Sequence, residues 1–257
     1  MTSRRRRRWV LPLASTATAV LAWEVLARAE LIPSQLSSPS AVVPWLWTAA
    51  GTAAFWDDLA ATMFQWLIGL LIATVAGIGG GLLVGTNRVL SALLQAPIEF
   101  LRPIPAIIYL PLLLLLFGAT PEVAYWLAAV GAVWPVFFQT VYGLQSLDPL
   151  AMETARMFGF SRRQRIFDVL LPGVAPSIAT GVRIAASIAL VVVVTVQIVG
   201  SIPGIGATLR NSQINGIYPA VYGLTLVIGG IGLMANLGME RLEPKLLKWH
   251  QPYRPAT

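Results

Sequence analysis

The chain of 257 residues contains no cysteine and a single histidine, His250, near its C-terminus. Without cysteine it has neither a disulfide framework nor a thiolate metal site, and one histidine is too few for a usual transition-metal site. A lone histidine in the tail also gives no basis for Ser-His-Asp hydrolase chemistry. We therefore expect no metal, no cofactor bound by this chain, and no enzymatic activity of its own.

Lysine and buried acids are scarce as well. The two lysines, Lys245 and Lys248, do not follow a Gly-x-x-x-x-Gly sequence, so the chain lacks a P-loop and is not expected to hydrolyse nucleotide alone. Residues 169–239 contain no Asp or Glu, and Glu24 is the one acid that lies clearly within an apolar run. Proton-driven carriers usually need buried acids or histidines, so this scarcity disfavours a self-powered transporter.

Apolar residues are what the chain has in abundance. Hydrophobic residues make up 56% of it and charged residues 11%, whereas a soluble domain has about 25% charged residues. This balance predicts an all-α polytopic membrane protein. Apolar runs close to the ~20 residues that cross a bilayer core predict six transmembrane helices. We place them at 9–28, 62–86, 100–118, 123–145, 176–200 and 217–239.

Basic residues are distributed unevenly between the connections. Six spans place both termini on one side, and only Arg28 and Arg210 fall in connections on the other side. Because basic residues concentrate in cytoplasmic loops, both termini and residues 146–175 should be cytoplasmic. The basic residues on that side are Arg4 to Arg8, Arg88, Arg156, Arg162, Arg163, Arg165, Arg241, Lys245, Lys248 and Arg254.

The N-terminal sequence TSRRRRRWVLPLASTATAVLAW has two interpretations. Arginines followed by an apolar stretch with small residues are typical of a cleaved secretory signal. We favour a retained first helix, since the other five spans need a sixth to keep the charged loop and the basic tail inside. The arginines would then contact membrane lipids, and no nucleic-acid partner is expected. Residues 1–257 form one transmembrane domain, with a basic N-terminus at 1–8 and a tail at 240–257.

Small residues recur every four positions in the second predicted span. At that spacing they share one helix face, where small side chains let helix backbones approach closely in lipid. This face serves either as ordinary helix packing or as a sliding surface. In the third span, Pro103, Pro105 and Pro111 should break or kink the helix. The small residues are Gly69, Ala73, Gly77, Gly81 and Gly85.

Residues 153–172, ETARMFGFSRRQRIFDVLLP, interrupt the apolar chain with four arginines and two acids. Just before them, Asp148 and Pro149 are a typical N-cap and first-turn proline. The helix that they begin should end at Gly159, since glycine is common just after a helix. We call residues 146–175 the charged segment.

A second short helix should follow in the charged segment. Ser161 and Gln164 have the spacing of a capping box, and Pro172 should end the helix. Two helices this short are marginal in water unless they pack on something. From these residues alone the pair is either an interfacial element resting on headgroups or a docking element for a cytosolic partner.

The charged segment resembles the EAA loop of ABC importer permeases. That pattern is Glu-Ala-Ala, three residues, Gly, nine residues, and then Ile-x-Leu-Pro. The matching positions keep this spacing throughout, with Thr154 in place of an alanine and Val169 in place of an isoleucine. They are Glu153, Thr154, Ala155, Gly159, Val169, Leu171 and Pro172.

This resemblance implies the type I ABC importer permease fold, in which the charged segment is a pair of coupling helices that docks on an ATPase subunit. It implies that Glu153 and Gly159 fix the shape of the loop. Arg162, Arg163 and Arg165 would make polar contacts with the ATPase or with headgroups. ATP and Mg would bind to the ATPase. The further partners implied are an extracytoplasmic solute-binding protein and a second permease copy, in a bacterial inner membrane.

Further stretches, including LRPIPAIIYLPLLLLLFG, are similar to the nitrate/sulfonate/taurine branch of these permeases. That branch commonly has a glutamate at Gln197 and an arginine near Gln65, and both positions are candidates for the translocation path. Arg183, a third candidate, would either attract an anionic substrate or pair with a carbonyl or carboxylate. The expected substrate is nitrate, a sulfonate, taurine or a related small nutrient. The alternatives are a secondary carrier or channel and a non-transporting membrane scaffold.

Overall fold

The computed structural model describes residues 3–29, 31, 33 and 35–247, and within them it is helical without any β-strand. Residues 1–2, the tail beyond residue 247 with His250, and the side chains of Arg4 to Arg8 lie outside the described part. The helices are α1 (Ser3–Arg28), α2 (Pro39–Ala50), α3 (Ala53–Thr86), α4 (Arg88–Leu101), a 3-10 turn (Ala106–Tyr109), α5 (Leu110–Phe117), α6 (Pro121–Gln145), α7 (Pro149–Met157), α8 (Arg162–Gln164), a π-helical turn (Arg165–Leu170), α9 (Leu171–Gly200), α10 (Ile205–Ile214) and α11 (Tyr218–Leu246).

Helices α3, α6 and α9 form the centre of the molecule. Helix α3 packs along α6, and α9 lies against both. The small residues of α3 face α6: a Cβ atom built on Gly69 would lie 2.7 Å from the Cβ of Ala128, and one on Gly77 would lie 2.6 Å from the Cβ of Val136. Gly81 and Gly85 likewise lie against α6. This face brings two backbones together, as small residues do in membranes.

Helix α11 closes the bundle on another side. It contacts α9, α10 and α2, and the ring of Trp45 in α2 lies where a side chain on Gly223 would be. Helix α1 reaches the same region, where Trp23 lies 5.6 Å from Tyr222 between ring centroids. Helix α2 was not among the predicted helices, although Ser38 and Pro39 carry the signals of a helix start.

Among the described residues, four helical stretches are long and apolar enough to span a membrane. These are Ala53–Thr86, Pro121–Gln145, Arg162–Gly200 and Tyr218–Lys245, and the first of them begins nine residues before the predicted start of the second span. Helix α1 covers the first predicted span, 9–28.

The break that Pro103 and Pro105 predict in the third span, 100–118, is confirmed. Helix α4 ends at Leu101, and the chain then turns into Ala106–Phe117 with a bend of 82°. Pro103 and Pro105 account for this break, because a proline lacks the N–H that would continue the helix and disfavours α geometry in the residue before it. The two bent pieces make a fifth span if they count as one.

The prediction that Pro172 ends the second helix of the charged segment is wrong. The helical path continues from Arg162 to Gly200, and Pro172 lies in the first turn of α9. Residues Arg165–Leu170 before it form a π-helical turn. Its wider i to i+5 pairing avoids the clash that a proline ring makes with the carbonyl four residues back in an α-helix.

Candidate functional sites

The charged segment folds into two helices that meet at a glycine corner. Asp148 caps α7, with its Oδ1 atom accepting the N–H of Leu150 at 2.9 Å. After the helix, Gly159 adopts φ +77°, and its N–H donates to the carbonyl of Arg156 at 3.0 Å. The N–H of Phe160 donates to the carbonyl of Ala155 at 3.0 Å, which completes a Schellman motif. The predicted N-cap and terminating glycine are therefore confirmed.

The predicted capping box is confirmed as well. The backbone N–H of Ser161 donates to Gln164 Oε1 at 2.9 Å, and the N–H of Gln164 donates to Ser161 Oγ at 3.3 Å. These two bonds satisfy orphan donors at the helix start. The corner and the restart of the helix are thus fixed by hydrogen bonds within the segment itself.

The charged segment has an inner and an outer face. Ala155 is buried, whereas Val169, Leu171 and Pro172 are half-buried and Glu153 and Thr154 are exposed. On the outside, Met157 is 88% exposed and Phe158 is 78% exposed. The other large exposed apolar side chains of the segment are Leu150, Phe160, Ile166 and Phe167. Several large exposed apolar side chains in one charged segment are typical of an interaction surface.

The arginines of the segment point to two places. Arg163 lies over the Phe167 ring, with 5.8 Å from its guanidinium carbon to the ring centroid. Arg162 and Arg165 instead line a cavity, together with Arg156, that faces the end of α3. Arg156 was not among the predicted site residues.

Gln65 and Gln197 meet inside the helical core. Both are fully buried, and Gln197 Nε2 donates to Gln65 Oε1 at 2.8 Å. Gln65 Nε2 donates to the carbonyl of Pro203 at 3.0 Å. Gln197 Oε1 accepts the N–H of Gly206 at 3.0 Å. The pair therefore ties α3, α9 and the turn at 201–206 together, and its role in the translocation path remains a prediction.

Thr62 extends this network. Its hydroxyl lies within hydrogen-bonding distance of Gln197, accepts the N–H of Ile205 at 3.0 Å and donates to the carbonyl of Asp58 at 2.9 Å. Thr62 was not predicted as a site residue, although it lies three residues before Gln65 and so shares its helix face. Satisfied buried networks of this kind hold elements in one arrangement.

Glycine is required beside this network. A Cβ atom on Gly206 would lie 2.7 Å from the Cβ of Gln197. At Gly204, with φ +145°, it would lie 2.3 Å from Gln197 Nε2. The Gly204-Ile205-Gly206 turn thus lets the backbone approach the glutamine side chain closely enough for the hydrogen bonds to form.

Arg183 has a carboxylate partner. Its Nε donates to Glu243 Oε1 at 2.9 Å, and a second guanidinium nitrogen contacts Glu243 Oε2, which makes the pair bidentate. Glu243 is 7% exposed and lies in α11. It falls beyond the predicted end of the sixth span at residue 239, which is why it was not predicted as the partner. The positive charge of Arg183 is balanced within the subunit.

Comparisons with known proteins agree with this architecture. Residues 69–248 match the family model described as binding-protein-dependent transport system inner membrane component. The chain is 30% identical to the taurine transport system permease protein TauC of Escherichia coli (strain K12), over 96% of this chain and 94% of that protein. It is 28% identical to the putative aliphatic sulfonates transport permease protein SsuC of the same strain, over 95% and 92%.

Solved structures show the same fold. A structure of the inward-facing MetNI methionine ABC transporter matches with a TM-score of 0.65 and 18% identity, covering 74% of this chain and 94% of that chain. At this level of identity the likeness concerns the fold, which is that of the type I ABC importer permeases.

Proposed function

Because the chain belongs to the family of binding-protein-dependent transport system inner membrane components, we propose that its charged segment receives work from a separate ATPase subunit and transmits it to the membrane pathway. The chain is the permease subunit of an ABC importer, and it carries no P-loop of its own. Energy must therefore reach it through a contact with another chain.

The observation that carries this proposal is the exposed apolar corner of the charged segment. Met157 and Phe158 are largely exposed beside Gly159, at the end of α7, a helix of nine residues that is too short to be stable alone. Ala155 anchors the corner from the inside. A partner that covers Met157 and Phe158 would bury them at a favourable ~1.5–3 kcal/mol for each large side chain.

The remaining partners follow from the family. We propose that two permease copies, two ATPase subunits and a solute-binding protein form the transporter, which works by alternating access. ATP would close the ATPase pair, and the charged segments would move with it. The basic residues near both ends and in the charged segment support a cytoplasmic position for all three.

We propose that the cargo is a small sulfonate such as taurine, or an anion of similar size. The named relatives support this class, since they are described as taurine and aliphatic sulfonate permeases. Arg183 is not proposed as the group that attracts the anion, because Glu243 balances its charge. We therefore assign substrate selection chiefly to the binding protein.

Reconstitution of the transporter tests the proposal. The permease, its ATPase subunit and its solute-binding protein are placed in vesicles, and uptake of radiolabelled taurine is measured with ATP and with a non-hydrolysable analogue. We expect uptake with ATP only, together with ATP hydrolysis that the loaded binding protein stimulates. Uptake that persists without ATP but stops when a proton gradient is collapsed would show a secondary carrier. ATP hydrolysis that no loaded binding protein stimulates would show a scaffold.

A further inference from the structure

A cavity of about 560 Å³ lies where helices α3 and α6 end and the charged segment begins. Thr86 and Leu144 come from the spanning helices, and Arg156, Arg162 and Arg165 come from the charged segment. Its size lies in the range of ~300–1,000 Å³ that small-molecule sites have. An adjoining cavity shares Thr86 and Arg162 with it and adds Arg88.

The cavity is strongly basic. Three arginines line it against one acid, Asp148, whose carboxylate already accepts the N–H of Leu150. Among the described residues, the ion pairs involve Arg28 and Arg183 and none of these three arginines. Asp148 is therefore the one acid in the lining against three arginines, and none of the three forms an ion pair among the described residues.

Arg165 shows the consequence most directly. Its Nε atom is enclosed, and it has no hydrogen-bond partner among the described residues. An enclosed polar group without a partner is costly, and more so when it carries charge. An anion in the cavity would balance the charge of the three guanidinium groups and accept hydrogen bonds from their N–H groups that reach the cavity.

The position of the cavity indicates which anion fits. It lies at the last residues of α3 and α6, two helices that span the membrane, and hence at the depth of the lipid headgroups. Guanidinium groups bind phosphate through paired hydrogen bonds, and basic pockets between membrane helices bind anionic headgroups. Leu144, Met152 and Leu170 add apolar wall beside the arginines. The geometry points to a site for a phosphate group, of the kind that an anionic phospholipid carries.

This site does not include the exposed corner proposed for the ATPase, although Ile166 lines the cavity as well as lying among the exposed apolar side chains of the segment. Met157 and Phe158, which form the exposed corner, do not line the cavity, and Arg163 lies over Phe167 outside it. An anion bound in the cavity would contact both the charged segment and the end of α3, and would hold them together. Its binding requires neither transport nor ATP, so it can be tested even if the proposed function fails.

The test compares lipid retention by variants of the full-length permease. Purified protein is placed in phosphatidylcholine nanodiscs with a minor share of phosphatidylglycerol, and native mass spectrometry counts the phosphatidylglycerol that stays bound. We expect Arg165→Gln and Arg162→Gln each to lower retention roughly ten-fold, as the loss of a charge-assisted hydrogen bond does. Arg163→Gln removes the same charge outside the cavity and should match wild type. Because Arg162 is exposed, its variant keeps the test valid if Arg165→Gln misfolds.

Addition of inorganic phosphate identifies the source of the phosphate group. Displacement of phosphatidylglycerol by phosphate would support a site that takes the group from lipid or from solution. Retention of the lipid in excess phosphate would support a lipid site that also uses glycerol and chain contacts. Equal loss in Arg163→Gln would reveal general surface charge and overturn the site, and so would unchanged retention in the two cavity variants. Displacement of the lipid by the ATPase, with loss of ATPase binding in the same variants, would also overturn it.

Discussion

Glycines in the helical core and in the charged segment are surrounded by very different atoms. At Gly81 in α3, an added Cβ atom would lie 2.7 Å from the Cβ of Thr140 and 2.9 Å from the carbonyl oxygen of Phe137. At Gly159, no atom outside the residue and its two chain neighbours lies within 4 Å of that position, but the backbone has φ +77°. The core glycine provides space between helices, and the segment glycine provides a backbone angle. One region is thus held by packing, and the other by its local geometry.

The largest loss of stability is expected from a substitution in the helical core. Gly81→Leu places a branched side chain where α3 and α6 are in backbone contact, and we expect a loss of ~3 kcal/mol in the stability of the folded permease. The measurement is the fraction of monodisperse protein after heating in detergent. Gly79→Leu is the matched control, because Gly79 lies in the same helix with nothing within 4 Å of an added Cβ. Similar losses in both variants would mean that helix propensity or lipid contact, rather than packing on α6, decides the outcome.

Substitution of a buried glutamine should destabilise the folded permease by an intermediate amount. Gln197→Leu leaves Gln65 Oε1 and the N–H of Gly206 without their partner, at a cost of ~2 kcal/mol. Gln213→Leu, at an exposed position in α10, should melt like wild type. Adding Gln65→Leu to Gln197→Leu should cost less than the sum of the single changes, because the two side chains act as one unit. Additive losses in heat stability would show that the two glutamines contribute independently.

A substitution in the charged segment should change the stability of the permease least. It should instead disrupt coupling between the permease and its ATPase subunit. Gly159→Val forces a β-branched residue into a left-handed conformation at ~1 kcal/mol or more, but it meets no neighbouring atom. We expect the permease to insert and melt almost normally, while co-purification of the ATPase subunit and stimulated ATP hydrolysis are lost.

Gly216→Val controls for the strain itself. Gly216 has φ +69° and open space around it, but it lies after α10, outside the charged segment. It should keep the ATPase subunit bound. If Gly159→Val also keeps both the ATPase and its stimulation, the charged segment is not the coupling element.

The sequence predicts helix caps and turns well, because residues close together in the chain determine them. The cap at Asp148, the corner at Gly159 and the capping box at Ser161 each depend on residues no more than a few positions apart, so their patterns are visible in the sequence. The apolar composition likewise predicted an all-helical membrane protein, which the family and the fold confirm.

The contacts that were missed join distant parts of the chain. Gln197 and Gln65 are 132 residues apart, and Arg183 and Glu243 are 60 residues apart. No local pattern records such pairs, since they exist only after the helices pack. The prolines show a further limit, because the break predicted at Pro103 and Pro105 is present, whereas Pro172, which was predicted to end a helix, lies in the first turn of α9. The effect of a proline depends on the turn that precedes it, which neighbouring helices help to set.

The unbroken helical path through Pro172 has a mechanical consequence. From Arg162 to Gly200 it comprises 39 residues. At the rise of an α-helix it is a lever arm roughly 58 Å long, on which a tilt of ~5° about one end displaces the other by ~5 Å. Gln197 and the turn at 201–206 lie at the end remote from the charged segment. A small tilt imposed at the arginine-rich end would therefore displace the opposite end by several ångströms, and the π-helical turn and Pro176 are the two places where the path would bend instead.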